Sequence, residues 1–288
     1  MSVLEAIVKD VQADLKIREQ QTSLKEIKER ARRAPAPRNA IDALRGPGAV
    51  TVMAEIKRRS PDSGLLAEIP DPVGLALEFQ EGGAAMISYP TERRHFAGSF
   101  AELEAVRRAV DVPVLCKDMI ISPYQIHEAR AHGADMVLLF AAVLSPEQLH
   151  NFIERIESLG MTALVEVQSR LEVVCALEAG ARAIGVNARN LHTLEIDRSN
   201  FEQVVDLIPA DVVAVAESGV RNPHDVFKYA QAGADSVLVG QSLSTVEDPR
   251  RRVADMVSAA QHPALLADRK QRIKRGVTNR QYELYYQD

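Results

Sequence analysis

Charged residues directly follow an apolar run near residue 50 of the chain. The run Val-Thr-Val-Met-Ala at residues 50–54 leads into EIKRRSPDSG at residues 55–64. Charges at the mouth of a buried strand are costly unless they are paired or meet a ligand. Glu55 and Lys57 are two residues apart, so their side chains lie on one face of a strand. The segment therefore predicts a site for a small, charged ligand.

Other apolar runs of the chain end in ionisable or polar residues in the same way. The residues concerned are Lys117, Glu166, Asn187, Arg189 and Glu217. Two lysines that face two or three carboxylates across one site form a plausible acid–base set. The alternative is a purely structural network of salt bridges. The first interpretation is favoured because apolar strands do not need several ionisable ends for stability.

Small residues follow the last two apolar runs. Ser218 and Gly219 follow one run, and Gly240 and Gln241 follow the other. Small residues at such turns allow backbone N–H groups to surround an anion, and many barrels bind phosphate after their seventh and eighth strands. One Ser-Gly pair is weak evidence, but two such turns at these positions predict a phosphate site.

The elements that must position these residues form a repeat. Four segments begin with Gly-Ala at positions 83, 133, 180 and 233, each behind a helical pattern and ahead of a short β-rich run. Four more strand-like runs lie between them, at Val50 to Ile56, Val112 to Lys117, Thr162 to Val167 and Asp211 to Ala216. An open doubly wound sheet is the competing architecture. Eight alternating units with fourfold self-similarity favour an α/β fold of the (β/α)8 TIM barrel type.

The chain divides into three parts. Residues 1–48 are predicted to be a helical extension that packs on the barrel, with one long amphipathic helix from Val3 to about Arg33. The proline-rich segment 34–37 ends that helix. Residues 49–262 form the barrel, and residues 263–288 form a basic and then aromatic tail. The tail is expected to lie on the surface, with a partner contact or a flap over the barrel as alternatives.

Composition excludes several classes of function. The 288 residues are 46% hydrophobic and carry a net charge of −5, which disfavours nucleic-acid binding. No apolar run approaches the roughly 18 residues that span a bilayer, and no signal-like segment begins the chain, so no membrane contact is expected. The two cysteines, Cys116 and Cys175, indicate a reducing, cytoplasmic location. His127 and His132 are five residues apart, which is unfavourable for a shared metal ion, so no metal is expected.

Several long motifs resemble the indole-3-glycerol phosphate synthase family of tryptophan biosynthesis. They occur in the family's order and include AEIKRRSP, TERRHFAGS, PVLCKDMI, ALVEV, IGVNARNLHTLEID, AESGV and GADSVLVG. The resemblance covers essentially residues 1–260, including the helical extension ahead of the barrel. It implies a carboxy-lyase that needs no cofactor and acts on an anthranilate-derived ribulose phosphate, in a chain that is a monomer or a weak oligomer.

The resemblance also implies roles for the charged residues. Lys117 matches the general acid of ring closure, and Lys57 matches the lysine that holds the substrate carboxylate. Glu166 and Glu55 match carboxylates that transfer protons and stabilise a cationic intermediate, with Asn187 beside them. The implied substrate-binding residues are Ser60, Pro61, Phe96, Met119, Phe140, Arg189, Glu217, Ser218, Gly219, Gly240 and Gln241. Among these, Ser218, Gly219, Gly240 and Gln241 match the family's phosphate cradle.

Three residues depart from the family pattern. Pro90 lies where an aliphatic residue is usual, Met119 replaces a phenylalanine and Phe140 replaces an aliphatic residue. Pro90 is expected to alter the path of the loop that follows. An aromatic ring lost at 119 and one gained at 140 conserve pocket volume while moving its shape. A diverged enzyme that closes a modified anthranilate adduct is therefore one alternative, and a non-catalytic sugar-phosphate-binding barrel is another.

The isomerase that precedes this reaction shares the fold and the phosphate site. It is expected to use a cysteine and an aspartate on the first and fifth strands. This chain has Glu55 and Lys57 on the first strand and Glu166 on the fifth, which argues against the isomerase.

Overall fold

The computed structural model describes residues 2–46, 50–190 and 193–261. Eight parallel strands form a closed barrel, which confirms the predicted fold class. The barrel strands are β1 Thr51–Glu55, β4 Met86–Pro90, β5 Val114–Lys117, β6 Met136–Phe140, β7 Thr162–Val167, β8 Ala183–Asn187, β9 Val213–Glu217 and β10 Ser236–Val239. Each pairs with its neighbours in the sequence, and β10 closes the barrel against β1. A two-stranded hairpin, β2 Arg59–Ser60 and β3 Gly64–Leu65, lies in the loop after β1.

Helices connect the barrel strands. The main connecting helices are α4 Pro72–Glu81, α6 Phe100–Ala109, α7 Pro123–Ala131, α8 Pro146–Ser158, α9 Arg170–Glu178, α10 Asn200–Val204, α11 Pro223–Ala232 and α13 Pro249–Ala260. Short helices α5 Arg93–Phe96 and α12 Gln241–Ser244 lie in loops, and a 3-10 turn at Val205–Leu207 follows α10. The four repeated glycines all have positive φ, from 89° at Gly133 to 119° at Gly233. This conformation turns each helix end into the next buried strand, as the repeat predicts.

The predicted single N-terminal helix is wrong, because the structure has two helices there. Helix α1 spans Val3–Gln21 and helix α2 spans Leu24–Arg33. Thr22 is extended, and the side chain of Ser23 accepts a hydrogen bond from the backbone N–H of Glu26. A serine that caps a new helix satisfies backbone donors that a continuous helix would have satisfied internally. Ser23 with Glu26 three residues later has the spacing of a helix N-terminus, a signal in the sequence that the single-helix prediction did not use.

The N-terminal segment contacts both ends of the barrel. A third helix, α3 Ala40–Arg45, packs on β1, β4 and β9. Thr51, the first residue of β1, donates a hydrogen bond to the Leu44 carbonyl, so α3 covers the N-terminal ends of the strands. Helix α1 instead packs at the opposite end, where Leu4 and Ile7 join the cluster of Met119 and Phe140. Helix α2 packs along α7.

Strand alternation separates two apolar layers. Outward residues such as Val52 and Ala54 pack against the helices, whereas Met53 and its counterparts fill the barrel interior. Alternation continues at the strand ends, so inward-facing positions there become Glu55, Lys117 and Glu166. The apolar interior thus supports a layer of charged residues at the carboxyl ends of the strands.

Three further expectations from the sequence concern the domain boundaries, the cysteines and membrane-spanning segments. The boundary at residue 49 and the tail 263–288 lie outside the described residues. Cys116 is buried and Cys175 partly buried, and both are free thiols. Among the described residues, no helix is both long and apolar enough to span a membrane.

Candidate active site

A pocket opens at the carboxyl ends of the barrel strands. It encloses about 790 Å³ of empty space, including its open mouth. Eleven of the predicted site residues line it: Lys57, Ser60, Pro61, Phe96, Lys117, Met119, Phe140, Glu166, Asn187, Arg189 and Ser218. They come from seven of the eight strands or from the loops that follow them, so closure of the barrel brings together residues that are up to 161 positions apart (218 − 57).

Glu55 and Lys117 form an ion pair in the wall of this site. The Lys117 ammonium nitrogen lies 3.5 Å from Oε2 of Glu55, whose side chain is 2% exposed. Burial opposes ionisation of Glu55, but the charges of Lys117 and Lys57 outweigh it and lower the pKa of the carboxyl group. Glu55 does not line the pocket and lies behind Lys117.

The pKa values of Lys57 and Lys117 are shifted in opposite directions. Burial would lower the pKa of Lys117, but the carboxylates of Glu55, Glu217 and Glu166 outweigh it and raise that pKa. Burial lowers the pKa of Lys57, opposed by Glu55 and reinforced by the charge of Lys117. Lys117 is therefore the firmer cation of the two, and Lys57 releases its proton more readily.

Glu166 is held by an amide. Asn187 Nδ2 donates a hydrogen bond of 2.7 Å to Oε1 of Glu166, and Asn187 Oδ1 accepts one of 2.9 Å from the Arg189 backbone N–H. Glu166 is 3% exposed. Burial raises the pKa of its carboxyl group, while Lys117 and the Asn187 amide oppose that rise. A carboxyl group with a raised pKa that faces a pocket is suited to accept and return a proton.

Glu217 lies beneath the pocket rather than on its lining. It is 1% exposed, and neither of its carboxyl oxygens has a hydrogen-bond partner among the described residues. Burial and the neighbouring Glu166 raise the pKa of Glu217 to about 8, with Lys117 opposing. The sequence grouped Glu217 with substrate-contacting residues, but Glu217 is not among the residues that line the pocket.

The two glycine turns after β9 and β10 differ in their surroundings. Ser218 and Gly219 have φ values of 65° and 77°, and Ser218 lines the pocket. Gly240 instead lies against Glu55, because a Cβ at position 240 would be 2.6 Å from Oε2 of Glu55. Gln241 begins the short helix α12. Glycine at 240 therefore has a steric reason in this structure, independent of any anion.

Apolar side chains form one wall of the pocket. Met119 and Phe140, two of the three departures from the family pattern, both line it and are at most 9% exposed. Pro90 lines it too, as the last residue of β4 in register with Lys117. Position 119, which lacks the family's phenylalanine, and position 140, which has gained one, therefore face the same pocket.

Sequence reasoning missed the contribution of α1 to this wall. Val3, Leu4 and Ile7 of α1 line the pocket. Their spacing indicates an apolar helix face, but nothing in the sequence shows which part of the barrel that face meets. Other unpredicted lining residues are Asp62, Glu92, Asp118 and Leu194.

A network of charges joins α1 to the loop that carries Phe96. Arg94 forms ion pairs with Asp10 and Asp14 of α1, and His95 Nε2 lies 3.0 Å from Asp10. The Glu92 carboxylate accepts hydrogen bonds from the backbone N–H groups at the start of α5. The network links α1 to the short helix α5, whose last residue, Phe96, lines the pocket.

The hairpin after β1 is tied to Arg189. Asp62, between β2 and β3, forms an ion pair with the Arg189 guanidinium group. The Arg189 side chain also donates to the Leu194 carbonyl. The hairpin that carries Ser60 and Pro61 is thereby held over the pocket.

No group of three or more His, Cys, Asp or Glu side chains among the described residues is placed to hold a metal ion. His127 is buried on α7, and burial together with nearby Lys28, Arg155 and Arg32 lowers its pKa to about 4.

Comparison with known proteins adds independent evidence. The family model described as indole-3-glycerol phosphate synthase matches residues 4–256. A relative from Beutenbergia cavernae, named indole-3-glycerol phosphate synthase, is 56% identical over 93% of this chain and 100% of its own. One from Parafrankia sp. with the same name is 57% identical over 92% of this chain and 98% of its own.

Solved structures of lower identity share the fold. A 3-hexulose-6-phosphate synthase from Salmonella typhimurium has a TM-score of 0.62 at 14% identity, covering 76% of this chain and 100% of that one. A thiamine phosphate pyrophosphorylase from Pyrococcus furiosus has a TM-score of 0.58 at 17% identity, covering 77% and 98%. Such distant matches show the barrel architecture alone.

Proposed function

The chain belongs to the indole-3-glycerol phosphate synthase family, and from this premise we propose how its pocket performs that reaction. The enzyme converts 1-(2-carboxyphenylamino)-1-deoxyribulose 5-phosphate into indole-3-glycerol phosphate, carbon dioxide and water. The ring carbon that bears the carboxylate attacks the ribulose carbonyl, carbon dioxide leaves, and water is lost. The protein must therefore protonate an oxygen, stabilise a transient cation and remove a methylene proton from the newly closed ring during dehydration.

Lys117 is the general acid of ring closure. The carbonyl oxygen gains negative charge as the new carbon–carbon bond forms, and a nearby ammonium group stabilises that charge and supplies a proton. The raised pKa of Lys117 supports this role, because it keeps the side chain protonated. Glu55, 3.5 Å from Lys117, acts through it as a positioning residue.

Lys57 holds the substrate carboxylate and takes part in dehydration. Its position on the pocket lining supports the first role, and its lowered pKa, caused by burial, supports proton exchange in the second. Arg189 supplies a second cation for the carboxylate or the hydroxyl groups. Asp62 now pairs with Arg189 and is exchanged for substrate groups on binding.

Glu166 transfers protons on the other side of the pocket. Loss of carbon dioxide restores the benzene ring, and dehydration of the new five-membered ring then removes its hydroxyl group and a proton of the adjacent methylene carbon as water. A buried carboxyl group with a raised pKa can accept that methylene proton. The amide of Asn187 orients Glu166 for this step. The negative charge of the site also stabilises the cationic intermediate.

The substrate lies between an apolar wall and the phosphate turns. Phe96, Met119 and Phe140 bind the anthranilate ring, with Ser60 and Pro61 over it. The phosphate is bound at the turns after β9 and β10, by Ser218, Gly219, Gly240 and Gln241. The lining position of Ser218 supports this orientation.

The observation that carries the proposal is the convergence of Lys57, Lys117 and Glu166 on one pocket with an apolar wall. The test is a fluorescence assay for indole-3-glycerol phosphate formation from the ordinary substrate. We expect turnover by the wild type and a loss of roughly 10²–10⁴-fold in kcat for Lys117→Met. The exposed Lys228→Met is the matched control and is expected to retain activity. Undiminished turnover in Lys117→Met would refute the assigned general acid.

A second candidate is ring closure of a ring-substituted anthranilate adduct. Met119 and Phe140 change the shape of the apolar wall while the charged residues are retained. A hydrophobic pocket discriminates against one added group by about 10–200-fold. Comparison of kcat/KM for the ordinary and ring-substituted substrates decides between them.

A cytoplasmic location and a monomeric or weakly oligomeric state complete the proposal. The two free cysteines support a reducing compartment. Size-exclusion chromatography over a range of protein concentrations tests the oligomeric state.

A further inference from the structure

Gly185 lies on the inward face of β8, two residues before Asn187. The backbone conformation at this position does not require glycine. Its φ is outside the left-handed region. A Cβ at this position would lie 1.8 Å from Oε1 and 2.9 Å from Cδ of Glu217. The carboxyl group of Glu217 therefore occupies the space that any larger residue at 185 would fill.

The path of the Glu217 side chain follows from the strand register. The Cα of Glu217 is in register with Asn187 on β8, whereas its carboxyl group contacts Gly185, two residues earlier. The side chain thus runs back toward the barrel interior. Gly185 is in turn in register with Glu166 on β7, so the Glu217 carboxyl group is directed across Gly185 toward Glu166.

The charged groups that face Glu217 come from three strands. Glu166 on β7 and Glu55 on β1 disfavour a further negative charge, and Lys117 on β5 favours one. Neither carboxyl oxygen of Glu217 has a hydrogen-bond partner among the described residues. An ionised, fully buried carboxylate without a donor is costly, whereas a protonated carboxyl group is tolerated.

We propose that Gly185 is a positioning residue: the space left by its missing side chain lets the carboxyl group of Glu217 lie against Glu166, where the two carboxyl groups hold one proton between them. Two like charges in a shared buried site cannot both ionise readily. In the substrate-free enzyme the pair carries one negative charge, which attracts the positive charge of Lys117. When Glu166 takes the methylene proton of the newly closed ring, the pair becomes neutral, and it returns to one negative charge when that proton passes to water.

This inference rests on the proton-transfer role proposed for Glu166, but its first test needs no turnover. The substrate-free enzyme, labelled with ¹³C at the glutamate Cδ, is titrated by NMR, and Glu217→Gln assigns the resonance. We expect Glu217 to remain protonated at pH 6.5 in the wild type. In Gly185→Ala, a displaced Glu217 should titrate about one pH unit lower or more. A Glu217 that is ionised at pH 6.5 in the wild type, or titrates unchanged in Gly185→Ala, would overturn the proposal.

The second test is a double-mutant cycle on activity. Gly185→Ala is expected to lower kcat about tenfold or more with little change in KM, because misplacement of a catalytic group affects the chemical step. Glu217→Asp shortens the side chain by one methylene, so Gly185→Ala/Glu217→Asp should regain part of the lost kcat. Strictly additive losses would show that the two positions do not interact and would refute the positioning role.

Ala183→Gly is the matched control. Ala183 lies on the same inward face of β8, two residues before Gly185, and is packed in the barrel interior. This variant changes the strand by one methyl group and should lower the unfolding temperature without moving the Glu217 titration. If Gly185→Ala does not fold, the wild-type titration still decides whether Glu217 holds a proton. If Glu217 is protonated but the enzyme forms no indole-3-glycerol phosphate, the proposed reaction is refuted. The proposal for the carboxyl pair is not affected by that result.

Discussion

The ammonium nitrogen of Lys117 lies 3.5 Å from Oε2 of Glu55, and the Glu55 side chain is 2% exposed. Lys117 lines the pocket whereas Glu55 lies behind it. Glu55 therefore sets the charge and position of the lysine without reaching the pocket lining itself. A Cβ at Gly240 would lie 2.6 Å from the same Glu55 oxygen, so glycine at that position preserves the pair.

Glu55→Gln should shift the alkaline limb of the kcat–pH profile to lower pH. The Glu55 carboxylate contributes to the raised pKa of Lys117, so its removal lowers the pH at which the general acid loses its proton. The expected shift is about one pH unit or more. Because the limb assigned to Lys117 lies above the ordinary lysine pKa of about 10.4, steady-state kinetics must extend beyond that pH to measure the shift, with Glu178→Gln as an exposed control. If the alkaline limb does not move in Glu55→Gln, the ionisation of Lys117 is not the cause of that limb.

Met119→Phe and Phe140→Leu should interact strongly in kcat/KM. Both side chains face the same pocket, so Met119→Phe alone adds a ring beside Phe140 and overfills the space. We expect each single variant to lower kcat/KM for the ordinary substrate by about tenfold, or roughly 1.4 kcal/mol. The double variant should recover most of that loss. Additive effects would indicate that the two residues do not share one wall.

Ile7→Ala should weaken substrate binding although the residue lies in the N-terminal extension. Ile7 is 5% exposed and lines the pocket with Leu4. The variant is expected to raise KM several-fold and to lower the free energy of unfolding by about 2 kcal/mol, at the low end of buried isoleucine truncations. Ile17→Ala on the same helix is the control, because Ile17 is 51% exposed. Equal effects on KM in both variants would contradict a local role for Ile7.

His127 should make the protein less stable in acid. Its pKa is lowered to about 4 from 6.5 by burial and by Lys28, Arg155 and Arg32, so the unfolded chain binds more protons between these pH values. Stability should therefore fall as the pH decreases from 6.5 to 4, by at most about 1.4 kcal/mol per pH unit from this residue.

His127→Gln should reduce that slope, whereas the exposed His224→Gln should not. Denaturant unfolding at several pH values between 4 and 7 measures the slope directly. An unchanged slope in His127→Gln would show that other groups cause the acid sensitivity.

Local patterns in the sequence were sufficient to predict the barrel and most of the pocket. Strand alternation predicts which residues at a strand end face inward, and the recurring glycines mark where each helix turns into a strand. Lys57, Lys117 and Glu166 could therefore be assigned to one site from the pattern of the strands alone. The break between α1 and α2 follows from a different local signal, Ser23 with Glu26 three residues later, which the period of the apolar residues does not contain.

How far each charged side chain lies from the pocket, and which distant segments contact each other, depended on the tertiary structure. Glu55 and Glu217 carry the same strand-end signal as Glu166, yet they lie behind the pocket, since Gly240 and Gly185 leave space into which their side chains turn. The position of α1 at the barrel mouth likewise depends on long-range contacts. By itself the sequence determined which side chains face the barrel interior, because that follows from the period of each strand. Only the packing of neighbouring strands and of α1 decided which of those side chains reach the pocket.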